Sequence, residues 1–417
     1  MRIIKLTPTA EMSLLKLREN EDHDALRIAG RIVGDVRRRG DLAVDAWTRK
    51  LDETDLKETG LWVTAGEFAA ARKLVRPDFL SAVKHTIANI RRVAGKQKPV
   101  DWTVQVESGV SVGQRVKPIE SIGCYIPGGR FALVSTLLMT VVPAQVAGVR
   151  QIVAVCPHPN DELLAAAGFL GVTRLARIGG AQAVAAMAYG TKRIPRVEKL
   201  FGPGNRFVTA AKQIVSAHCA IDLPAGPTEA VVLADRGNAR WIAADMLAQA
   251  EHAPDAGSYL VTTSAKLAGE VKAELMCQLR ELAPNNPAHA SFNKTSAILL
   301  TRSLDESISF VNRFAPEHLS LPENKETVLA RIESAGTIFL GPLSAQPFGD
   351  YASGSNHVLP TAGWARRRGG LSTSDFMKRF SVQTIDKDGF HRLANDVQVL
   401  ARAEGLAAHA NAIEVRR

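Results

Sequence analysis

The 417-residue chain holds only four cysteines, Cys124, Cys156, Cys219 and Cys277, and no two of them stand at Cys-x-x-Cys spacing. That excludes a disulfide framework and a thiolate metal site, so all four read as small buried apolar residues of a reducing cytoplasmic compartment. Aromatic residues are scarce as well, at 6%. The stacking platform of a single-strand nucleic-acid binder is therefore missing, although the formal net charge is +10. Basic residues are spread along the whole length; only Arg37 to Arg39 and Arg366 to Arg368 form runs, and each is expected to be a solvated face. The opening residues Met1 to Leu6 lack the apolar core of a signal peptide. One charge-free stretch, Phe131 to Val149, is long enough to span a bilayer. It carries Ser135, Thr136, Thr140, Pro143, Gln145 and Gly148, however, and a buried helix is the expectation. No Gly-x-Gly-x-x-Gly fingerprint occurs, and no repeat is visible.

What is present describes a globular protein of two or three domains, with 46% hydrophobic and 23% charged residues. Leu26, Ala29, Ile32, Val33 and Val36 recur at helical spacing up to Gly40, and further helices are expected over Ala65 to Val75 and Asp78 to Ala94. Short extended runs follow between Val106 and Tyr125. After Arg150 strand and helix alternate: strands at Gln151 to Cys156 and Val197 to Phe201, helices at Asp161 to Leu170, Gly180 to Tyr189 and Asn205 to Ser216. A second series has strands at Ala230 to Leu233, Tyr259 to Val261, Ala297 to Leu300 and Thr337 to Leu340, again with helices between. Two such blocks predict an α/β fold of two doubly wound domains. After Gly341 a polar loop from Gly349 to His357 is expected, then a tail ending in one helix from Asp396 to Ala412.

The chemistry gathers round Gln249 and His252, three residues apart toward the end of a helix that Pro254 stops. On one helical face both could reach a single ion, whereas such a pair is ordinarily a solvated helix end. Asp350, His357, Glu404 and His409 complete the polar inventory, and Gln249, His252, Asp350 and His409 would offer zinc or manganese mixed nitrogen and oxygen donors. Glu317 and His318 stand side by side before an extended Leu-Ser-Leu. Adjacent strand side chains diverge, which suits separate proton transfers, with the imidazole as general base at neutral pH. Pro127-Gly128-Gly129, Gly179-Gly180 and Gly202-Pro203-Gly204-Asn205 each precede a helix and are either tight turns or phosphate-approach loops.

Several separated motifs occur in order along the whole chain. They are Tyr125 to Arg130, Gly179 to Ala183, Gly202 to Asn205, Ala225 to Glu229, Gln249 to His252, Ala315 to His318, Gly349 to Tyr351 with Asn356 to Thr361, and Glu404 to Leu406 with His409. By these the sequence resembles the histidinol dehydrogenase family, which oxidises L-histidinol to L-histidine through L-histidinaldehyde at the end of histidine biosynthesis.

The resemblance implies two incomplete Rossmann-like domains, one zinc per subunit and NAD as oxidant. Zinc ligands would be Gln249, His252, Asp350 and His409; acid and base Glu317 and His318; NAD contacts Tyr125, Gln182 and Asn205. Substrate would meet Thr228, His357 and Glu404 as well as Gln249, His252, His318, Asp350 and His409. It further implies a cytoplasmic homodimer with intertwined tails and no nucleic-acid or membrane partner. The expected division is an N-terminal arm over 1–24, a catalytic domain of 25–126 with 227–366, an NAD domain over 127–226, and an exchanged tail over 367–417. Thr228 stands where serine is commoner, Phe131 to Val134 where a proline is usual, and Arg206 where residues are usually small. Relatives on this scaffold oxidise other small polar alcohols, including a sulfonated propanediol, and that activity is the alternative.

Overall fold

The computed structural model describes residues 1–18, 22–128, 132–223, 226–323 and 325–417. Gly129, Arg130, Phe131 and Ala225, which belong to the motifs quoted above, lie outside the described residues. Strands in chain order are β1 (Arg2–Lys5), β2 (Trp102–Glu107), β3 (Val110–Pro118), β4 (Ser121–Tyr125), β5 (Gln151–Val155), β6 (Leu175–Ala176) and β7 (Lys199–Phe201). They continue with β8 (Ala220–Ile221), β9 (Glu229–Leu233), β10 (Gly257–Thr262), β11 (Ala297–Leu300), β12 (His318–Leu321), β13 (Thr337–Leu340) and β14 (Met377–Ile385).

Two parallel sheets carry the molecule. One has five strands in the order β6-β5-β4-β7-β8, the other six in the order β1-β11-β10-β9-β12-β13. Apart from the added edge strand β1, both follow one pattern: the first strand of the series lies at the centre, the next two on one side and the last two on the other. That is the Rossmann order short of a final strand, and it creates a switch point between β4 and β7 and another between β9 and β12. Near-continuous apolar runs specify such strands, because parallel strands are covered on both faces. Ser121 to Tyr125, Glu229 to Leu233 and Gly257 to Thr262 are buried at every position.

The helices behave as their periodicity predicts. Helix Pro77–Gln97 turns Val83, Ile87, Ile90 and Ala94 inward, and helix His23–Arg39 turns in Ala29, Ile32, Val33 and Val36. The charge-free segment forms the helix Val134–Ala147, buried continuously from Thr136 to Ala144. Among the described residues no helix is long and apolar enough to cross a membrane.

Four expectations are corrected. Residues 25–126 do not join the six-stranded sheet: β4 is the centre of the five-stranded one, and Ala29, Ile32 and Val36 share a core with Val153, Val184 and Val208. Helical periodicity shows which face is buried but not which sheet buries it. Asp350 lies in the short helix Gln346–Tyr351 and not in an open loop. Instead of one terminal helix there are two, Lys387–Ala403 and Ala407–Glu414, parted at Gly405, whose φ of 74° is left-handed. Of the cysteines, Cys124, Cys156 and Cys219 are buried as expected, whereas Cys277 is exposed on a helix surface.

The tail begins with β14, which adds to β3 and β2 in an antiparallel three-stranded sheet. β2 is exposed at every residue and β14 at all but its first, although they carry Trp102, Val104, Val106, Phe380, Val382 and Ile385.

Candidate active site

The two sheets present opposite edges to the same region. Thr228 and Glu229 open β9, Glu317 and His318 open β12, and these strands pair in register, His318 against Ala230. The switch point of the six-stranded sheet is thus used at its amino edge. Helix Ala239–Ala250 runs back from the far end of β9 and returns Gln249 to that edge.

A connected set of hydrogen bonds results. Thr228 Oγ1 donates to Glu317 Oε2 at 2.5 Å and accepts from Gln249 Nε2 at 2.8 Å. Gln249 is wholly buried, and its Oε1 accepts from Gln346 Nε2 at 2.5 Å. The Glu229 amide donates to the same Glu317 oxygen at 3.0 Å. His318 is buried with Nδ1 3.4 Å from the Glu229 carbonyl, while Nε2 makes no hydrogen bond and lies 3.8 Å from Asp350 Oδ1. Burial pulls the imidazole of His318 down, but the carboxylates of Glu317 and Asp350 outweigh it and hold its pKa above the ordinary value. For Asp350 burial acts upward, and the facing His318 brings the net displacement below the usual carboxylate range.

His357 Nδ1 is 3.0 Å from the Asp350 carbonyl and its Nε2 is 3.3 Å from Thr136 Oγ1, so the ring bridges the two halves; burial pushes its pKa down. His252 lies just beyond the helix, not on it, since the helix ends at Ala250. Its Nδ1 sits 2.9 Å from the Ala248 carbonyl, a bond that makes Nδ1 the donor and leaves the Nε2 lone pair pointing outward, as a metal-ligating histidine requires.

Behind this edge Glu229 is buried against Arg18, and burial pushes its carboxyl up to about 7. Gln346 and Arg18 carry no motif of their own, and Glu229 only closes the Ala225-to-Glu229 motif without any assigned role; their partners stand far away in sequence, so no local pattern reveals what they do.

Glu404 caps the helix Lys387–Ala403 and His409 lies on the helix Ala407–Glu414; both are exposed and neither is hydrogen-bonded to the cluster. Among the described residues no group of three or more His, Cys, Asp or Glu side chains is placed to hold a metal. Within one chain Gln249, His252 and Asp350 come to one edge, and the fourth expected donor does not.

The five-stranded sheet offers its carboxyl edge. Tyr125 ends β4, and its hydroxyl accepts from the Gly180 amide at 3.1 Å. Gln182 Nε2 donates to Asp52 Oδ2 at 3.1 Å, an oxygen that also accepts from the Gly179 amide at 3.0 Å, while Gln182 Oε1 is buried and unpartnered. Asn205 Oδ1 accepts from the amides of Phe207 and Val208 at the start of helix Arg206–Val215. Side chains therefore engage main-chain amides at both helix N-termini, Asn205 as an N-cap and Asp52 with Tyr125 from outside the helix. Arg206 Nε lies 3.1 Å from Asp22 Oδ2, drawn toward the N-terminal helices.

The sequence model described as Histidinol dehydrogenase matches residues 15–417. The chain belongs to the histidinol dehydrogenase family. Membership makes it an oxidoreductase of histidine biosynthesis, in a family that is NAD-dependent. The curated histidinol dehydrogenase of Methanosarcina barkeri is 43% identical over 416 residues, covering 98% of this chain and 95% of that protein. That of Halalkalibacterium halodurans is 45% identical over 392 residues, covering 92% of each. The crystal structure of histidinol dehydrogenase from Elizabethkingia anophelis superposes with a TM-score of 0.95 at 36% identity, covering 100% of this chain and 98% of that one. This histidinol dehydrogenase fold agrees with the expected pair of Rossmann-like units.

Proposed function

We propose that the protein oxidises L-histidinol to L-histidine through L-histidinaldehyde, in the cytoplasm, with NAD and one zinc ion per subunit. The observation that carries the reading is the buried, unpartnered His318 Nε2 facing Asp350 at 3.8 Å, beside a Glu317 already held by Thr228 and the Glu229 amide.

The donor set fits zinc. His252 has the required tautomer, Asp350 supplies a carboxylate, Gln249 supplies an amide oxygen, and the mixture is harder than a thiolate site. The Gln346 bond to that oxygen would yield or be shared when the ion binds. When bound, zinc would act as a Lewis acid gripping the substrate's imidazole and amine, and NAD would be the electron acceptor of both oxidations.

The chain's own groups then divide the proton chemistry. His318 Nε2 takes the hydroxyl proton of the alcohol. Glu317 takes a proton from the water that adds to the aldehyde while protonated His318 returns its proton to the aldehyde oxygen, which frees the imidazole to take the hydroxyl proton of the hydrate in the second oxidation. Thr228 and His357 line the substrate position, and enclosure keeps the aldehyde from escaping. Tyr125, Gln182 and Asn205 at the carboxyl edge of the five-stranded sheet would face the nucleotide, across from the catalytic edge.

His409 and Glu404 complete the site from a second copy of the chain. Exposure of both residues, together with the large apolar side chains uncovered on β2 and β14, supports a homodimer whose tails cross.

His318→Asn should abolish oxidation of the alcohol. Glu317→Gln should impair oxidation of supplied histidinaldehyde more than that of histidinol; equal losses would overturn the division of labour. The unaltered protein should form about two NADH per histidinol consumed, as a four-electron oxidation by a two-electron acceptor demands.

A further inference from the structure

Arg18 takes no part in the chemistry just described, yet it is enclosed directly behind it. It ends the N-terminal helix Pro8–Arg18, and its side chain is 10% exposed against 6% for Glu229. Nε donates to Glu229 Oε2 at 2.7 Å across 211 residues of sequence, and Nη2 donates to Oε1. The remaining terminal nitrogen, Nη1, donates to the Phe314 carbonyl, and the guanidinium carbon lies 3.7 Å from the centroid of the Phe314 ring. Tyr259 closes the pair from the side, edge-on to Phe314 at 5.3 Å.

The two anchor points are the two segments that build the catalytic edge. Phe314 ends the helix Leu304–Phe314, and only Ala315 and Pro316 separate it from Glu317. Ala315 has a φ of 49°, a left-handed conformation that a residue with a Cβ keeps only where its surroundings enforce it. Glu229 meets the pair through its main chain, amide to Glu317 and carbonyl to His318 Nδ1. A rigid guanidinium fork can hold a carboxylate and a carbonyl at once, and a cation is well placed at a helix C-terminus.

We propose that Arg18 is a positioning residue of this reaction: by tying Glu229 to Phe314 it sets the separation of Glu317 and His318 from the start of β9, so that the N-terminal arm completes the active site. The inference rests on the proposed roles of Glu317 and His318.

The test compares Arg18→Met and Arg18→Lys with the unaltered enzyme in its zinc-loaded form. Arg18→Met should lower kcat for histidinol by about 100-fold, the usual scale for a catalytic group displaced by about 1 Å. KM for histidinol and bound zinc should stay within about threefold, since interactions made only in the transition state are lost. Lysine keeps the charge but reaches one segment only, so Arg18→Lys should recover folding while kcat stays at least about tenfold low. Millimolar guanidinium ion should raise the kcat of Arg18→Met, and ammonium should not. A kcat within about twofold of the unaltered enzyme in Arg18→Lys, or in a folded Arg18→Met, overturns the proposal; so does a loss of thermal stability with kcat intact at low temperature. Failure of the unaltered enzyme to oxidise histidinol would instead remove the reading on which it rests.

Discussion

Replacing Thr228 with valine removes one hydroxyl while keeping the shape of the side chain. That hydroxyl donates to Glu317 Oε2 and accepts from Gln249 Nε2. Glu317 would keep the Glu229 amide on the same oxygen, losing one of its two donors there. Gln249 would keep Gln346 on its oxygen, but its amide nitrogen, in a side chain with no exposure, would lose its acceptor. A hydrogen bond to a charged group is worth about 1.5–3 kcal/mol, and a buried donor left unpaired costs about 1–3 kcal/mol. The two effects share the same relaxation and do not add fully. About 2 kcal/mol is expected to fall on Glu317, or roughly 30-fold in kcat/KM, and about 1–2 kcal/mol on unfolding through the unpaired Gln249 amide. Serine is the control, since it retains both bonds and gives up one methyl, worth about 0.8 kcal/mol. Steady-state rates from histidinol and from histidinaldehyde, with thermal unfolding of each variant, separate the two contributions. If Thr228→Val and Thr228→Ser behave alike in both measurements, the hydroxyl does not organise this edge and the reasoning fails.

Burial pushes the Asp245 carboxyl up to about 6. An aspartate unfolds to a pKa of about 3.9, so this group's contribution to stability is fully present below that value and is lost as the pH rises through about 6. Asp245→Asn should therefore stabilise the protein by up to about 2–3 kcal/mol near pH 8 and leave it unchanged near pH 4, as urea unfolding would show; equal gains at both would contradict the assignment. Reassociating His318→Asn with His409→Asn chains should restore about a quarter of full activity, because crossed tails leave one mixed site free of both lesions. No recovery would mean that each tail serves its own chain. Gly202 has a φ of 108°, and a Cβ there would lie 2.1 Å from the Tyr125 carbonyl oxygen. Gly202→Ala should cost about 2–4 kcal/mol in thermal unfolding, and a loss below about 1 kcal/mol would refute the close approach.

Strand positions are legible in this sequence because parallel strands buried on both faces leave unbroken apolar runs, as in Ala230 to Leu233 and Ala297 to Leu300. Helix ends are legible where a side chain caps them, as Asn205 does for Arg206–Val215. Edges are harder to read. The Met1-to-Leu6 opening gives no sign that β1 will lie beside β11, since a short run such as Arg-Ile-Ile-Lys carries no signal of which strand it will pair with. The tail misleads for a related reason: β14 alternates weakly and is exposed, and Gly405 falls inside an otherwise helical pattern. Of the candidate site, the individual groups stand out through their motifs. Their convergence does not, because Thr228, Gln249, Glu317 and Gln346 meet only through the crossover that returns the helix Ala239–Ala250 to the amino edge. Arg18 and Asp52 are invisible for the same cause: an isolated charged residue in a helical, charged segment resembles its solvated neighbours.

The two helix starts on the five-stranded sheet bear on how long the oxidant would stay in the proposed reaction. Asp52 and Tyr125 engage the Gly179 and Gly180 amides at one of them, and Asn205 engages the Phe207 and Val208 amides at the other, amides of the kind that elsewhere clasp a pyrophosphate. On the proposed reading, a dinucleotide resting there would find fewer free main-chain amides for its pyrophosphate and would depend more on its ends for retention. In the proposed reaction a spent carrier has to be swapped for a fresh one while the half-oxidised product remains clamped on the opposite edge. Weak retention on one side and firm retention on the other would let a single cleft run both halves of the proposed conversion without letting go of the aldehyde.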